Sequence, residues 1–109
     1  MKIIITENAK NDLNEIVTYI TENNNHDIAL KNYKKIKDRI NYLKDFPESG
    51  RTLPELNRLH IIKYREIIVS PWRVIYFFEK EMVYILHVID GRRNIDDIII
   101  NKIIKQEKP

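Results

Sequence analysis

Tyr64-Arg65-Glu66-Ile67-Ile68-Val69, Trp72-Arg73-Val74-Ile75-Tyr76-Phe77-Phe78 and Val83-Tyr84-Ile85-Leu86-His87-Val88-Ile89 are three β-branched and aromatic runs. Ser70-Pro71 separates the first two, and the polar Glu79-Lys80-Glu81 separates the last two. Runs of this length and composition, broken by turn residues, predict a three-stranded meander. The second and third runs are apolar at successive positions. Such strands bury both faces and lie in the middle of a sheet covered on two sides. Arginine is set into these strands: six of the seven arginines lie between residues 51 and 93, and only Arg39 falls outside. Lysine is the usual cation elsewhere. Arginine on an otherwise apolar strand points to forked hydrogen bonding to carboxylate or phosphate, a task lysine performs poorly. Both glycines stand directly before an arginine, in Gly50-Arg51 and Gly91-Arg92-Arg93, and bracket the meander.

Upstream of the meander, Ile3-Ile4-Ile5 reads as a first strand. Thr6 is a good helix cap with Glu7 at the positive end behind it. Ala9, Leu13, Ile16, Val17 and Ile20 then form one stripe of an amphipathic helix. Asn23-Asn24-Asn25 breaks it. A second stripe, Ala29, Tyr33, Ile36, Ile40 and Leu43, predicts a helix from about His26 to Asp45, and the two form an antiparallel hairpin. Pro47 in Phe46-Pro47-Glu48-Ser49-Gly50 ends it. Residues 50–58 read as loop. Downstream of the meander, residues 94–104 predict a tail helix, with Asn94 as cap, Asp96 and Asp97 at its positive end, and Lys102 and Lys105 at its negative end. Ile95, Ile98, Ile99 and Ile103 form its stripe. The helical hairpin covers one face of the sheet, and either the tail or a partner protein covers the other. The order is β-α-α-β-β-β-α, in an α+β fold with a twisted antiparallel sheet, and residues 1–109 form one domain.

Composition sets bounds on function. No apolar run approaches the roughly 20 residues needed to cross a bilayer, so no membrane-spanning helix is expected. The N-terminal apolar run is short and turns polar at once, unlike a signal peptide. With no cysteine the chain has no disulfide and no thiolate metal site, which suits a cytoplasmic protein. The formal net charge of +3 belongs wholly to the second half, since residues 1–50 are balanced. That excess can steer an anionic partner but is small beside a dedicated nucleic-acid binder. A Gly-rich phosphate loop, a nucleophile elbow and a Cys/His cluster are all missing from the sequence, so neither cofactor nor metal is expected. Asp96 and Asp97 are explained by the helix dipole.

The order and the residues together resemble the RelE/ParE superfamily of toxins from type II toxin–antitoxin pairs. The carriers are Asp12-Leu13-x-x-Ile16-x-x-Tyr19-Ile20, the connector Phe46-Pro47-x-x-Gly50-Arg51-x-x-Pro54-Glu55-Leu56, Tyr64-Arg65-Glu66-Ile67, Trp72-Arg73-Val74-Ile75-Tyr76, and His87-Val88-Ile89-Asp90-Gly91-Arg92-Arg93. The long helical hairpin, the connector and the Arg-Glu strand make it most similar to the ParE branch. ParE-like toxins poison DNA gyrase, whereas RelE-like toxins cut messenger RNA on the ribosome. The resemblance therefore implies a plasmid-stabilisation toxin that inhibits gyrase and is neutralised by a cognate antitoxin encoded beside it. An mRNA interferase and a non-toxic antitoxin-binding relative are the alternatives. A homodimer and a heterotetramer with the antitoxin both stay open.

Arg73 and Arg93 are the catalytic candidates if the protein is a nuclease, because arginine stabilises the extra charge of a phosphoryl transition state. Lys63 and His87 are weaker ones. Arg65, Arg73 and Arg93 are expected to converge at one end of the sheet. The structural alternative is that these arginines pair Glu66, Asp90, Asp96 or Asp97, and for Arg65 it is preferred. RelE-like enzymes place lysines on the strand before the turn and an aromatic or histidine in the tail. Here the strand carries Tyr64 and Glu66, and the tail holds neither Tyr nor His, which counts against cleavage. His87, between Leu86 and Val88, reads as a core histidine. Phe77 and Phe78 read as core, while Trp72 stays open as a stacking surface. Arg51, Arg65, Trp72, Arg73, Arg92 and Arg93 are the residues expected to meet antitoxin or target.

Overall fold

In the computed structural model, residues 1–93 and 95–104 are described. The chain runs β1 (Lys2–Ile5), α1 (Glu7–Asn23), α2 (His26–Tyr42), β2 (Arg51–Thr52), α3 (Pro54–Asn57), β3 (Arg65–Val69), β4 (Trp72–Glu79), β5 (Met82–Asp90) and α4 (Ile95–Ile99), which continues as a π-helical turn over Ile100–Ile104. The expected elements are present. The Thr6 hydroxyl caps α1 by accepting from the Ala9 amide, and the Asn25 side chain caps α2 by accepting from Ile28. Asn94 and Lys105, expected at the two ends of the tail helix, lie outside the described residues.

The sheet order is β1-β5-β4-β3-β2. β3, β4 and β5 form the meander, with Val69 opposite Trp72 and Glu79 opposite Met82 at its two turns. The sheet is mixed rather than wholly antiparallel, because β1 pairs parallel to β5, Ile3 against Val83 and Ile5 against Ile85. A strand's own residues report its extended backbone but not its neighbour. β5 is the free edge of the meander, and the helical hairpin carries the chain away from β1, so the two edges meet in parallel. The 50–58 connector is also more ordered than a loop. Arg51–Thr52 adds a two-residue edge strand to β3, and Pro54 opens a one-turn helix at a position where its missing N–H costs nothing. α2 stops at Tyr42, with residues 43–45 in turns before Pro47.

Two apolar layers follow from the strand alternation. On one face the stripes of α1 and α2 pack on Ile67, Trp72, Val74, Tyr76, Val83, Ile85 and Val88. On the other, Leu53, Leu56 and Tyr64 join Ile75, Ile89, Ile99 and Ile103. The tail and the connector are therefore the second cover, and the tail's Ile99 and Ile103 are buried. Phe77 and Phe78 are half-buried, each against one of the layers. Gly50 marks a close approach: a Cβ there would stand 2.5 Å from the Tyr76 hydroxyl and 2.6 Å from the Glu66 carbonyl oxygen. The Tyr76 hydroxyl accepts from the Gly50 amide at 3.0 Å and donates to the Pro47 carbonyl at 2.7 Å, pinning the connector to the sheet.

Candidate functional site

The arginines of the meander fall into two groups. The first is an ion network on the tail side of the sheet. Glu66 on β3 has a side chain with no exposure and accepts from Arg51 Nε at 2.7 Å and from Arg73 Nε. Arg73 is placed on β4 so that its two terminal nitrogens reach Glu55 in the first turn of α3, at 2.8 and 2.9 Å. The fork matches both carboxylate oxygens, the geometry that favours arginine over lysine. The Arg73 hydrogen bond holds the Glu55 carboxyl below its ordinary 4.5, against desolvation. The same bond, with that to Glu66, raises the Arg73 pKa. Arg73 thus meets carboxylate rather than an open surface.

Arg65 does not join this group. It pairs with Tyr76, five ladder steps from the Ser70-Pro71 turn, so it lies at the far end of β3 from Arg73. Its Nη1 donates to the carbonyls of Gly50 and Glu48 at 2.8 and 3.3 Å, and its guanidinium lies 5.8 Å from the Phe78 ring centre. The expected convergence of Arg65 with Arg73 and Arg93 is corrected: Arg65 stands three residues along β3 from Ile68, the partner of Arg73, at the end away from the turn. Arg65 meets backbone carbonyls of the connector rather than any of the carboxylates expected for it. Lys63 sits with its Nζ 4.3 Å from the centre of the Phe77 ring.

The second group surrounds a cavity of about 360 Å³ between α1, the end of β5 and the tail. Trp72, Arg92 and Arg93 line it, with Asp12 and Tyr19 from α1 and Lys102 from the tail. The Gly91 amide donates to the Pro71 carbonyl at 2.8 Å, which ties the end of β5 to the β3–β4 turn. Asp90 then accepts from the backbone, Nε and Nη2 of Arg92 at 2.9, 2.9 and 2.8 Å. That contact holds the Asp90 carboxyl low and raises Arg92. Trp72 is 8% exposed, so it is a wall of the cavity and not an open stacking platform. His87 is buried, with Nδ1 3.1 Å from Asp12 Oδ2, and the same oxygen accepts from the Val88 amide at 2.9 Å. Asp12, Tyr19 and Lys102 were not singled out as site residues from sequence. Asp12 at least carried a signal, an acid on the inward edge of the first helical stripe.

A helical hairpin and a terminal helix on opposite faces of a mixed five-stranded sheet, with arginines clustered at the meander, define a toxin-type domain of the RelE/ParE class. The chain belongs to the ParE branch of that class: the family described as "ParE toxin of type II toxin-antitoxin system, parDE" matches residues 3–95. Toxin ParE3 of Caulobacter vibrioides is 31% identical over 94 residues, covering 86% of this chain and 90% of that protein. A chain from the solved "Chromosomal ParDE TA system from P. aeruginosa" shares the fold with a TM-score of 0.68, covering 81% of this chain and 92% of its own length at 19% identity. Among the described residues, no helix is long and apolar enough to cross a membrane.

Proposed function

We propose that the protein is a toxin that binds and inhibits DNA gyrase without catalysis and is neutralised by a cognate antitoxin. The observation that carries this reading is the engagement of Arg73. A guanidinium that stabilises a phosphoryl transition state needs donors aimed at the developing charge. Here Nε, Nη1 and Nη2 of Arg73 are all committed to Glu66 and Glu55. His87, the remaining imidazole near the sheet, is turned inward to Asp12. Proton transfer to and from an RNA hydroxyl supplies about 10²–10⁴-fold in rate when a positioned acid or base is present. Arg93 gives charge without that transfer.

Family membership and the ParDE origin of the structural neighbour support an antitoxin partner. The surface left for it lies outside the two covered sheet faces. Tyr19, Leu30 and Tyr42 are exposed on the helical hairpin, with Tyr42 stacked at 4.7 Å on the exposed Phe46 of the connector. Arg51, Arg92 and Arg93 offer exposed charge to an acidic segment. Arg73, expected at this surface, has a side chain only 10% exposed and carries its charge inside. The deciding experiment compares gyrase supercoiling with messenger RNA integrity in a translating extract. Inhibition of supercoiling with intact RNA is expected. Codon-positioned cuts with unaffected gyrase would establish the RelE-like endoribonuclease, and neither effect would establish a non-toxic antitoxin-binding relative.

A further inference from the structure

A bulge in β5 decides where His87 points. Tyr76 faces Ile85 and Ile75 faces His87, so Leu86 is an extra residue with no partner across the ladder. Regular alternation would send His87 to the helical-hairpin side with Val83 and Ile85. The bulge re-aims it to the tail side, the side of Ile75. There its side chain, 5% exposed, lines a second cavity of about 310 Å³ between the start of α1, the strands β4 and β5, and the tail. Nδ1 lies 3.1 Å from Asp12 Oδ2. A carboxylate oxygen only accepts, so Nδ1 carries the proton and Nε2 presents a lone pair. That lone pair has no partner among the described residues. It is not sealed in either: Trp72 Nε1 is the one fully occluded side-chain polar atom without a partner among the described residues, so Nε2 keeps contact with the cavity. The other walls are apolar. Phe77 and Tyr84 stack at 4.9 Å, and Leu86 and Ile103 complete them. The Thr6 hydroxyl at the edge is already engaged, donating to the Ile85 carbonyl and accepting from the Ala9 amide.

We propose that this cavity binds a small neutral phenol. The phenol O–H donates to His87 Nε2, and the ring lies against Phe77, Tyr84 and Leu86. Its oxygen keeps lone pairs for Lys102, which also lines the cavity. A buried acceptor in an aromatic pocket selects a donor carried on an arene. A carboxylate or phosphate brings Nε2 no proton, and an aliphatic alcohol covers less of the wall. A volume of about 310 Å³ lies at the small end of the roughly 300–1,000 Å³ typical of ligand cavities, which suits a lone arene and not a polynucleotide. The exposed aromatics of the helical hairpin and Arg51, Arg92 and Arg93 do not line this cavity. The site therefore stands whichever macromolecule the protein acts on.

The test titrates the full isotope-labelled chain at neutral pH with 4-hydroxyacetophenone, whose phenol is its sole donor. The control is 4-methoxyacetophenone, the same body without that donor. Saturable shifts of the amide resonances with Kd below about 1 mM are expected for the phenol, with the ether at least about tenfold weaker. At saturation the nitrogen resonance of His87 Nε2 should move toward the protonated range, because the lone pair then accepts a hydrogen bond. A histidine that only braces Asp12 would keep its resonance. His87→Phe keeps a ring and removes the acceptor, and should weaken the phenol at least about tenfold. If that variant folds poorly, Leu86→Trp, which fills the cavity from a half-buried position, should weaken it as much. A response that stays linear to about 10 mM overturns the proposal. So does equal affinity for the ether, an Nε2 resonance unmoved at saturation, or full affinity in either variant.

Discussion

The two terminal nitrogens of Arg73 meet the two carboxylate oxygens of Glu55 at 2.8 and 2.9 Å, while its Nε donates to Glu66. One side chain thereby clamps α3 to the strands β3 and β4. The charge that looked like an active-site feature in the sequence is a structural tie in the fold, and its energetics can be measured.

Glu66 carries a buried carboxylate shared by two arginines. Removing one partner of such a cluster leaves the other charge uncompensated, which costs about 3–5 kcal/mol. Glu66→Leu should therefore destabilise by that amount in urea unfolding. Arg73→Met/Glu66→Leu should cost less than the two single variants added together, by at least about 1 kcal/mol. Strict additivity would show that the two side chains do not act as a unit.

Glu55 gives the network a pH dependence. Its folded pKa lies below the ordinary 4.5, so its contribution is full above that value and lost as pH falls through the lowered one. The wild-type melting temperature should exceed that of Glu55→Gln at neutral pH. The gap should close as pH drops below about 4.5. A gap that widens in acid would reverse the sign of this argument.

Gly50 is required by space rather than by backbone angle. A methyl group there would overlap the Tyr76 hydroxyl and the Glu66 carbonyl. Gly50→Ala should destabilise by about 1–3 kcal/mol through overpacking. Tyr76→Phe, which strips the partner from the Gly50 amide and the Pro47 carbonyl, should cost about 1–3 kcal/mol. Denaturant midpoints at constant m-value check both.

The meander, the helical hairpin and the tail were legible because their apolar residues recur at the period of the element they form. β1's pairing with β5 was not, since a strand's alternation is silent about its neighbour. Arg51–Thr52 is too short to show a period at all, and its pairing depends on Glu66 and Arg65 opposite it. The site was half legible. Arg73 and Arg93 stood out by residue type, but whether a guanidinium meets phosphate or a carboxylate depends on where Glu55 folds, 18 residues away. The cavity walls come from α1, β5 and the tail, so their meeting is a tertiary fact. His87 read correctly as buried, because both sequence neighbours are apolar.

The tail closes the second apolar layer through Ile99 and Ile103, which are 0% and 2% exposed. Replacing either by Ala should cost about 2–5 kcal/mol, and removing residues 94–109 should lower the melting temperature or solubility sharply. An unchanged melting temperature after truncation would mean that the tail packs without stabilising.

The most direct test of the account is a DNA gyrase supercoiling assay run at the same protein concentrations as a translating extract whose messenger RNA ends are mapped. Inhibited supercoiling, intact RNA, and rescue of supercoiling by the antitoxin are expected. Arg93→Ala should weaken that inhibition, or antitoxin binding, without altering any RNA. Codon-positioned RNA cuts that disappear in Arg73→Ala, with gyrase unaffected, would contradict it.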